Sequence, residues 1–426
     1  MNPAKSIILT QLDPTQPKDF LSALMREAIS AADPLKVVPP YLPARPKGRT
    51  IVVGAGKASA MMAKAVEDHW QGEISGLIIT RYGFNVPCRH IKIIEAGHPV
   101  PDAAGEKAAS GILDMVAGLG PDDLCLALMS GGASALLIRP AQEISLPDKQ
   151  EVNRMLLRSG ANITEINTVR KHLSAIKGGR LAQAIAPAKL VTLMISDVPG
   201  DDPGVIGSGP TIPDPTTFED ALAVTNKYQI NLPSKVRTLL ESGLDETPKP
   251  NDPAFIDTEQ FIVARPRASL DAAAAVAREA GIEVIMMSDR LEGEAREVAR
   301  EHARMARSSD GPKLFLSGGE LTVTINGNGS GGPNTEYALA MAIALEGDHR
   351  IHAMAIDTDG IDGSEDNAGA LIKPDTLVRA KAAGLNADHF LKDNDSYGFF
   401  LGIGDLIMTG PTFTNVNDFR AVLVLS

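Results

Sequence analysis

Cysteine is nearly absent from this 426-residue chain, which has only Cys88 and Cys125. Two thiols provide neither a disulfide framework nor a cysteine-built metal site. Basic charge is also short: the formal net charge is −12, and no cluster of Lys and Arg forms the electrostatic footprint that phosphate-backbone binding needs. A nucleic-acid surface is therefore excluded, whereas a small anionic substrate is not, because a local pocket can be positive on an acidic protein. No window approaches the ~18 consecutive apolar residues of a membrane span. The opening MNPAKSIILTQLDPTQP has a short apolar run and no signal-peptide core, so the reading is cytoplasmic. Histidine-based zinc chemistry lacks its ligands, since the close pair His349 and His352 has no third partner nearby. No internal repeat is visible.

What is present is the alternation of short β-rich runs with helical spacing that marks α/β sheets. The length exceeds what one hydrophobic core holds, so two domains are expected. Strands are predicted at 50–56, 76–80, 91–97, 123–129 and 190–196. Helices are predicted near 18–32, 102–118, 147–159, 163–174 and 178–186. Residues 198–258, rich in Pro, Asp and Gly, read as a connecting region with helical pieces at 217–227 and 233–242. Together these make an N-terminal domain over 1–258. A second α/β domain over 259–426, with its core at about 312–424, takes in QFIVA, IEVIMMS, KLFLSGG, LTVTING, HAMAID and helices from 267, near 292–308 and near 335–346. The 259–310 segment fits either domain.

The glycine turns carry the chemistry. VVGAGKAS at 52–59 departs from a dinucleotide fingerprint, because Ser59 stands at its third glycine and the next strand ends in Thr80 and Arg81 rather than an acid. It is not a P-loop either, since Gly54 and Gly56 are too close together and Ala58 follows Lys57. A Lys at a strand-to-helix turn still brings charge and backbone donors to one anion. Two Ser-Gly-Gly turns follow apolar strands, Ser130-Gly131-Gly132 with Ser134 beyond, and Ser317-Gly318-Gly319 before Glu320. Their glycines let a backbone approach a phosphate closely.

Acidic residues gather in ISDVPGDD, where Asp197 ends an apolar run, and in IDTDGIDGSED at 356–366, with five carboxylates and no basic residue. Oxygen-only ligands suit Mg²⁺, and Asp197, Asp357 and Asp362 are its candidates, with Asp359 as a ligand contact and Glu365 and Asp366 as solvated members. INTVRKHLSAIKGGRLA places Arg170 where its guanidinium can grip a carboxylate bidentately. MTGPTFTNVND offers Thr412, Asn415 and Asn417 to a polyhydroxy ligand or nucleotide.

Taken in order, GAGKAS, GHPVPD, SGGASALL, INTVRKHLSAIKGGRLA, SDVPGDDP, GSGPT, SGGE, TDGIDG, AGA and TGPTFTNVND resemble the glycerate 2-kinases with a C-terminal MOFRL domain, some of whose members carry the label hydroxypyruvate reductase. The resemblance spans nearly the whole chain. It implies a Rossmann-like N-terminal lobe, a smaller MOFRL lobe, a cleft between them, ATP and Mg²⁺ as cosubstrates, and phosphorylation of D-glycerate at its 2-hydroxyl. It implies that Lys57 and Asp197 act in catalysis or phosphate handling, Asp197 as general base or metal holder. One departure stands out: where many members read GGRNQE, this chain reads GGPNTE, so Pro333 replaces Arg and Thr335 replaces Gln, and Asn334 and Glu336 alone carry over. The alternatives are a nicotinamide-dependent hydroxypyruvate reductase and a kinase for a related hydroxy acid of tartrate degradation. A homo-oligomer is left open.

Overall fold

The computed structural model describes residues 12–426 and divides the chain into two compact units. The middle unit is Pro34–Val263, and the other joins residues up to Asp33 to Ala264–Ser426.

In the middle unit, strands β1 (Thr50–Ala55), β2 (Ser75–Arg81), β3 (Ile91–Ala96), β4 (Leu124–Met129), β5 (Lys189–Ile195) and β6 (Thr258–Ala264) form one sheet in the order β3-β2-β1-β4-β5-β6. Strands β1 to β5 pair in parallel. Every residue of β1 and β4 is buried, as expected of central strands covered by helices on both faces. Their apolar side chains join those of the helices Ala103–Val116 and Arg180–Ile185 in one core. The order reverses between β1 and β4, and in doubly wound sheets the crevice outside the carboxyl ends at such a reversal is where ligands bind.

The region read as a connector, 198–258, contributes the two helices expected within it to a helical annex with its own core, completed by two helices from before it. Helices Leu146–Arg158, Ile163–His172, Phe218–Lys227 and Ser234–Ser242 bury Val152, Leu156, Val169, Leu173, Phe218, Val236 and Leu240 together. Each such side chain stabilises by roughly 1.5–3 kcal/mol. Three of these helices begin in capping boxes, Ser145 with Asp148, Asn162 with Glu165 and Thr217 with Asp220, each satisfying donors that a helix start leaves open.

The second sheet is mixed, where a parallel α/β pattern was expected. Strands β7 (Glu283–Leu291), β8 (Lys313–Gly319), β9 (Ile351–Asp357), β10 (Gly369–Ile372), β11 (Leu406–Ile407) and β12 (Asp418–Val424) run in the order β11-β10-β9-β12-β8-β7. Only β7 and β8 are parallel; β12 lies antiparallel between β8 and β9. The helix Pro17–Ala31, assigned by sequence to the N-terminal domain, packs here: Phe20, Leu21, Leu24 and Ala28 are fully buried with Leu270, Leu316, Met354 and Phe419. LTVTING forms no strand beyond a bridge from Thr322 to Glu294, because its amides find side-chain acceptors instead, Thr324 on Glu294 and Asn326 and Gly327 on Asn394. No helix among the described residues is long and apolar enough to cross a membrane.

Candidate active site

Parallel pairing puts the carboxyl ends of β1, β4 and β5 on one edge, so Lys57, the Ser130–Gly132 turn and Asp197 emerge side by side. Neighbouring strands are ~4.8 Å apart, which sets β1 and β5 about 10 Å apart. The first two turns are stitched together. The Lys57 amide donates to the Gly131 carbonyl (2.8 Å), the Ala58 amide donates to Ser130 Oγ (3.0 Å), and Ser59 Oγ donates to the Leu128 carbonyl (3.0 Å). A side chain on Gly54 would meet the Leu128 carbonyl at 2.0 Å, and one on Gly56 would meet Ser130 Oγ at 2.1 Å. These glycines and the fully buried Ser59 and Ser130 hydroxyls therefore position the turn. The half-buried Lys57 side chain is what the turn presents.

Gly132 sits against both Lys57 and His98, since a Cβ there would lie 3.4 Å from Lys57 Cγ and 3.0 Å from the His98 ring. Next to it, Ser134 Oγ shares a 2.9 Å hydrogen bond with Ser208 Oγ, which also donates to Asn167 Oδ1 (3.1 Å). The GSGPT loop and the INTVRKH helix are thereby tied to the second glycine turn. His98, Gly132, Ser134 and Arg170 line one cavity of about 210 Å³. Arg170 reaches it with its Nε donating to Asn153 Oδ1 (2.7 Å).

In the second unit the register Asp418↔Asp357 and Arg420↔Ser317 brings the ends of β8 and β9 to the start of β12. Ser317–Glu320, Asp357–Asp362 and Asn415–Asp418 therefore share an edge. Asp357 Oδ1 accepts from the Asp359 amide (2.9 Å), and Asp359 Oδ1 accepts from the Ile361 amide (2.8 Å), turning the acidic loop on itself. Thr358 donates from its amide and its hydroxyl to the Asn417 carbonyl, and the Thr412 amide donates to the Asp359 carbonyl. Asn417 holds a φ of 62°, a left-handed conformation that Asn tolerates better than most residues.

Asp362 was expected to hold metal and is engaged elsewhere. Fully buried, it accepts from the amides of Asn334 (2.9 Å) and Thr335 (2.8 Å), from Thr335 Oγ1 (2.8 Å) and from Asn334 Nδ2 (3.3 Å). It thus caps the helix Pro333–Leu345 from outside the helix. Burial nevertheless pushes its carboxyl up to about 6, against those hydrogen bonds. Glu336 has a comparable structural role: it is buried, ion-paired with Arg296 Nε (2.8 Å) and bonded to Asn394 Nδ2 (3.3 Å). Among the described residues, no group of three or more His, Cys, Asp or Glu side chains can hold a metal ion. Asp197 and Asp357 remain partly exposed at strand ends.

Comparison with known proteins decides the family. Residues 20–241 match a domain of unknown function (DUF4147), and residues 313–418 match the MOFRL family. D-glycerate 2-kinase of Thermotoga maritima is 40% identical over 97% of this chain and 100% of its own length. The crystal structure of a Thermotoga maritima glycerate kinase superposes with a TM-score of 0.86 at 39% identity, covering 97% of this chain and 100% of that one. The chain belongs to the glycerate 2-kinase family. A relative from Agrobacterium vitis, 52% identical over 96% of this chain and 94% of its own, carries the provisional name hydroxypyruvate reductase.

Set within that family, Pro333 occupies the first turn of its helix, where a fixed φ is pre-organised and no donor is lost. Thr335 is fully buried and bonded to Asp362 and to Ser396 Oγ (3.0 Å). The two departures are thus consistent with each other as a helix start. Sequence reading missed Asp418 and Arg420, a fully buried ion pair whose Arg also donates to the Gly318 carbonyl (3.1 Å) and lies over the Tyr337 ring. A charged pair two residues apart on an otherwise apolar strand, DFRAVLV, was the available signal. It also missed Asn167 and Ser208, which carry no signal beyond their glycine-rich surroundings.

Proposed function

We propose that this protein is an ATP-dependent glycerate 2-kinase, transferring the γ-phosphoryl group of ATP to the 2-hydroxyl of D-glycerate. The observation that carries the reading is Lys57 at the sheet's reversal point, held by the glycine turns of β1 and β4 beside a small cavity that Arg170 lines. The full-length relatives named glycerate kinase support it. Phosphoryl transfer needs positioning and neutralisation of charge more than covalent help from the protein. Lys57 neutralises charge on the transferring oxygens. Asp197, at the end of β5 on the same edge, takes the hydroxyl proton or a metal position. Mg²⁺ brought with the nucleotide needs only one or two protein carboxylates, and Asp197 and Asp357 each fit that need, whereas Asp362 does not. When bound, the ion would screen the phosphate oxygens. The setting is the cytoplasm.

The reductase reading is weaker on the same geometry. Ser59 fills the third-glycine position with a hydroxyl bonded into the turn, and β2 ends in Arg81 where a ribose-binding acid would stand. The deciding experiment gives purified protein D-glycerate, ATP and Mg²⁺ in one assay and hydroxypyruvate with NADH in another. ADP and 2-phosphoglycerate are expected only in the first, and that activity is expected to vanish on chelation and return with Mg²⁺ or Mn²⁺. NADH oxidation without ADP formation would overturn the proposal.

A further inference from the structure

The cavity beside Gly132 is lined by two further cations, Lys149 and Lys177. They are 6% and 1% exposed. Lys149 Nζ donates to the Leu173 carbonyl (2.8 Å), and Lys177 Nζ approaches the Gly207 carbonyl at 3.4 Å. Among the described residues neither of them, nor Arg170, has a carboxylate partner. Acids on the neighbouring elements are engaged elsewhere: Asp214 with Lys171, Glu246 with His172, Asp245 with Arg180, Asp148 with Ser145, Glu151 with Arg154 and Glu165 with Lys227. The charged groups that act on the two lysines are cations, Arg170 on Lys177, and Lys177, Arg170 and Arg180 on Lys149, and no Asp or Glu lines the cavity. Burying like charges together without a counter-ion is costly. The cost shows in the side chains themselves: burial and the neighbouring Arg170 lower Lys177 to about 7, and burial with Lys177, Arg170 and Arg180 lowers Lys149 well below the usual lysine range.

Size limits what can supply the missing anion. A cavity of about 210 Å³, at the small end of ligand pockets, suits a compact acid of a few carbons better than a whole nucleotide. We propose that Lys149 and Lys177, with Arg170, form the carboxylate subsite of the acid substrate, with the acid's hydroxyl end at Ser134 and His98 toward Lys57. The proposal rests on the kinase reading for the identity of the acid, but not for the existence of the site. Binding a carboxylate there restores charge to the lysines, so near pH 8 the acid enters with net proton uptake.

The test is calorimetric titration of the full chain with D-glycerate, without nucleotide, in two buffers of different ionisation heat at about pH 8. Expected are binding with an uptake of about half to two protons, at least tenfold weaker binding of the uncharged glyceramide, and at least tenfold weaker glycerate binding by Lys149→Met and Lys177→Met. Affinity for a non-hydrolysable ATP analogue should stay within about twofold, as expected if these lysines serve only the acid. Unchanged glycerate affinity in both variants, or wild-type binding without proton uptake, overturns the subsite and leaves the kinase standing. Binding of lactate or hydroxymalonate with the same lysine dependence, but not of glycerate, keeps the subsite and overturns the choice of D-glycerate. Replacing a buried lysine amine by an apolar side chain of similar shape removes a polar group from the interior, so the variants are expected to fold, and the proton uptake of the wild type is informative without them.

Discussion

In the second unit Asp362 accepts from four donors and Asp418 lies against Arg420, whereas in the middle unit Lys149, Arg170 and Lys177 meet only carbonyl and amide oxygens. Both regions bury charge beside glycine-rich loops, and in sequence the acidic one is the more conspicuous. The structure reverses that order of interest. A buried charge with its partners in place stabilises a local shape, while a buried charge without them is completed by something that arrives. Density of charged letters is thus a poor guide to a ligand, and the pairing of each buried charge is a better one.

The sharpest test of the contrast is Lys57→Ala, which removes the cation carried by the first glycine turn, next to Gly132. It should lower kcat by two to three orders of magnitude, the scale of losing one donor to the transferring group, with an unchanged circular dichroism spectrum. Wild-type turnover in the folded variant would remove Lys57 from the chemistry. Asp362→Ala should act on stability instead, by about 2–3 kcal/mol in denaturant unfolding, because it leaves the buried donors of the helix start unmet. A loss of activity without loss of stability would put Asp362 back among the ligands.

Asp362 also carries a pH signature. Its folded value of about 6 lies above the ordinary 3.8, so between about pH 4 and pH 6 the folded state binds more protons than the unfolded one. Its contribution to stability is full below pH 4 and is lost as pH rises to 6. His302 shifts the other way, to about 4, because burial and Arg420 disfavour its cation. The Asp362 effect should therefore be read as wild type minus Asp362→Asn, a difference that falls across this window and is flat above it. A difference that rises with pH would show that the carboxylate, with its four donors, is the favoured form.

Arg170→Ala should raise KM for the acid about 10- to 100-fold and leave KM for ATP unchanged, as expected when a charged contact to one substrate is lost. An equal rise for both would make Arg170 part of the annex framework. The smallest effect is expected from Pro333→Arg. The first turn of a helix tolerates either residue, so stability should fall by less than about 1 kcal/mol, and with the acid held in the middle unit its KM should stay within about twofold. A large fall in that KM would show that the grip on the acid comes from this loop.

Much of the architecture could be read in advance because central strands such as LCLALM and capped helices such as SLPDKQEV satisfy their own local rules. The mixed second sheet could not, since an apolar strand buried on both faces looks the same in either direction, as HAMAID in β9 does. The annex was obscured by its proline-rich joints, which read as linker although they connect well-packed helices. The placement of Lys57 on a glycine turn between a strand and a helix was legible from the strand-turn-helix context. Lys149 was not, because PDKQEV is an ordinary polar helix start until folding buries its third residue.

The helix Pro17–Ala31 belongs to a sheet whose first strand starts at Glu283. During synthesis its apolar face, Phe20, Leu21, Leu24 and Ala28, emerges before the whole of Pro34–Val263 has been made. At roughly 5–20 residues per second, that face waits on the order of ten to fifty seconds for its partners, while the middle unit can complete itself from contiguous chain. The first helix made is thus among the last to be docked, and the interval of greatest exposure to chaperones and proteases is set by the length of the inserted unit rather than by the speed at which either unit folds.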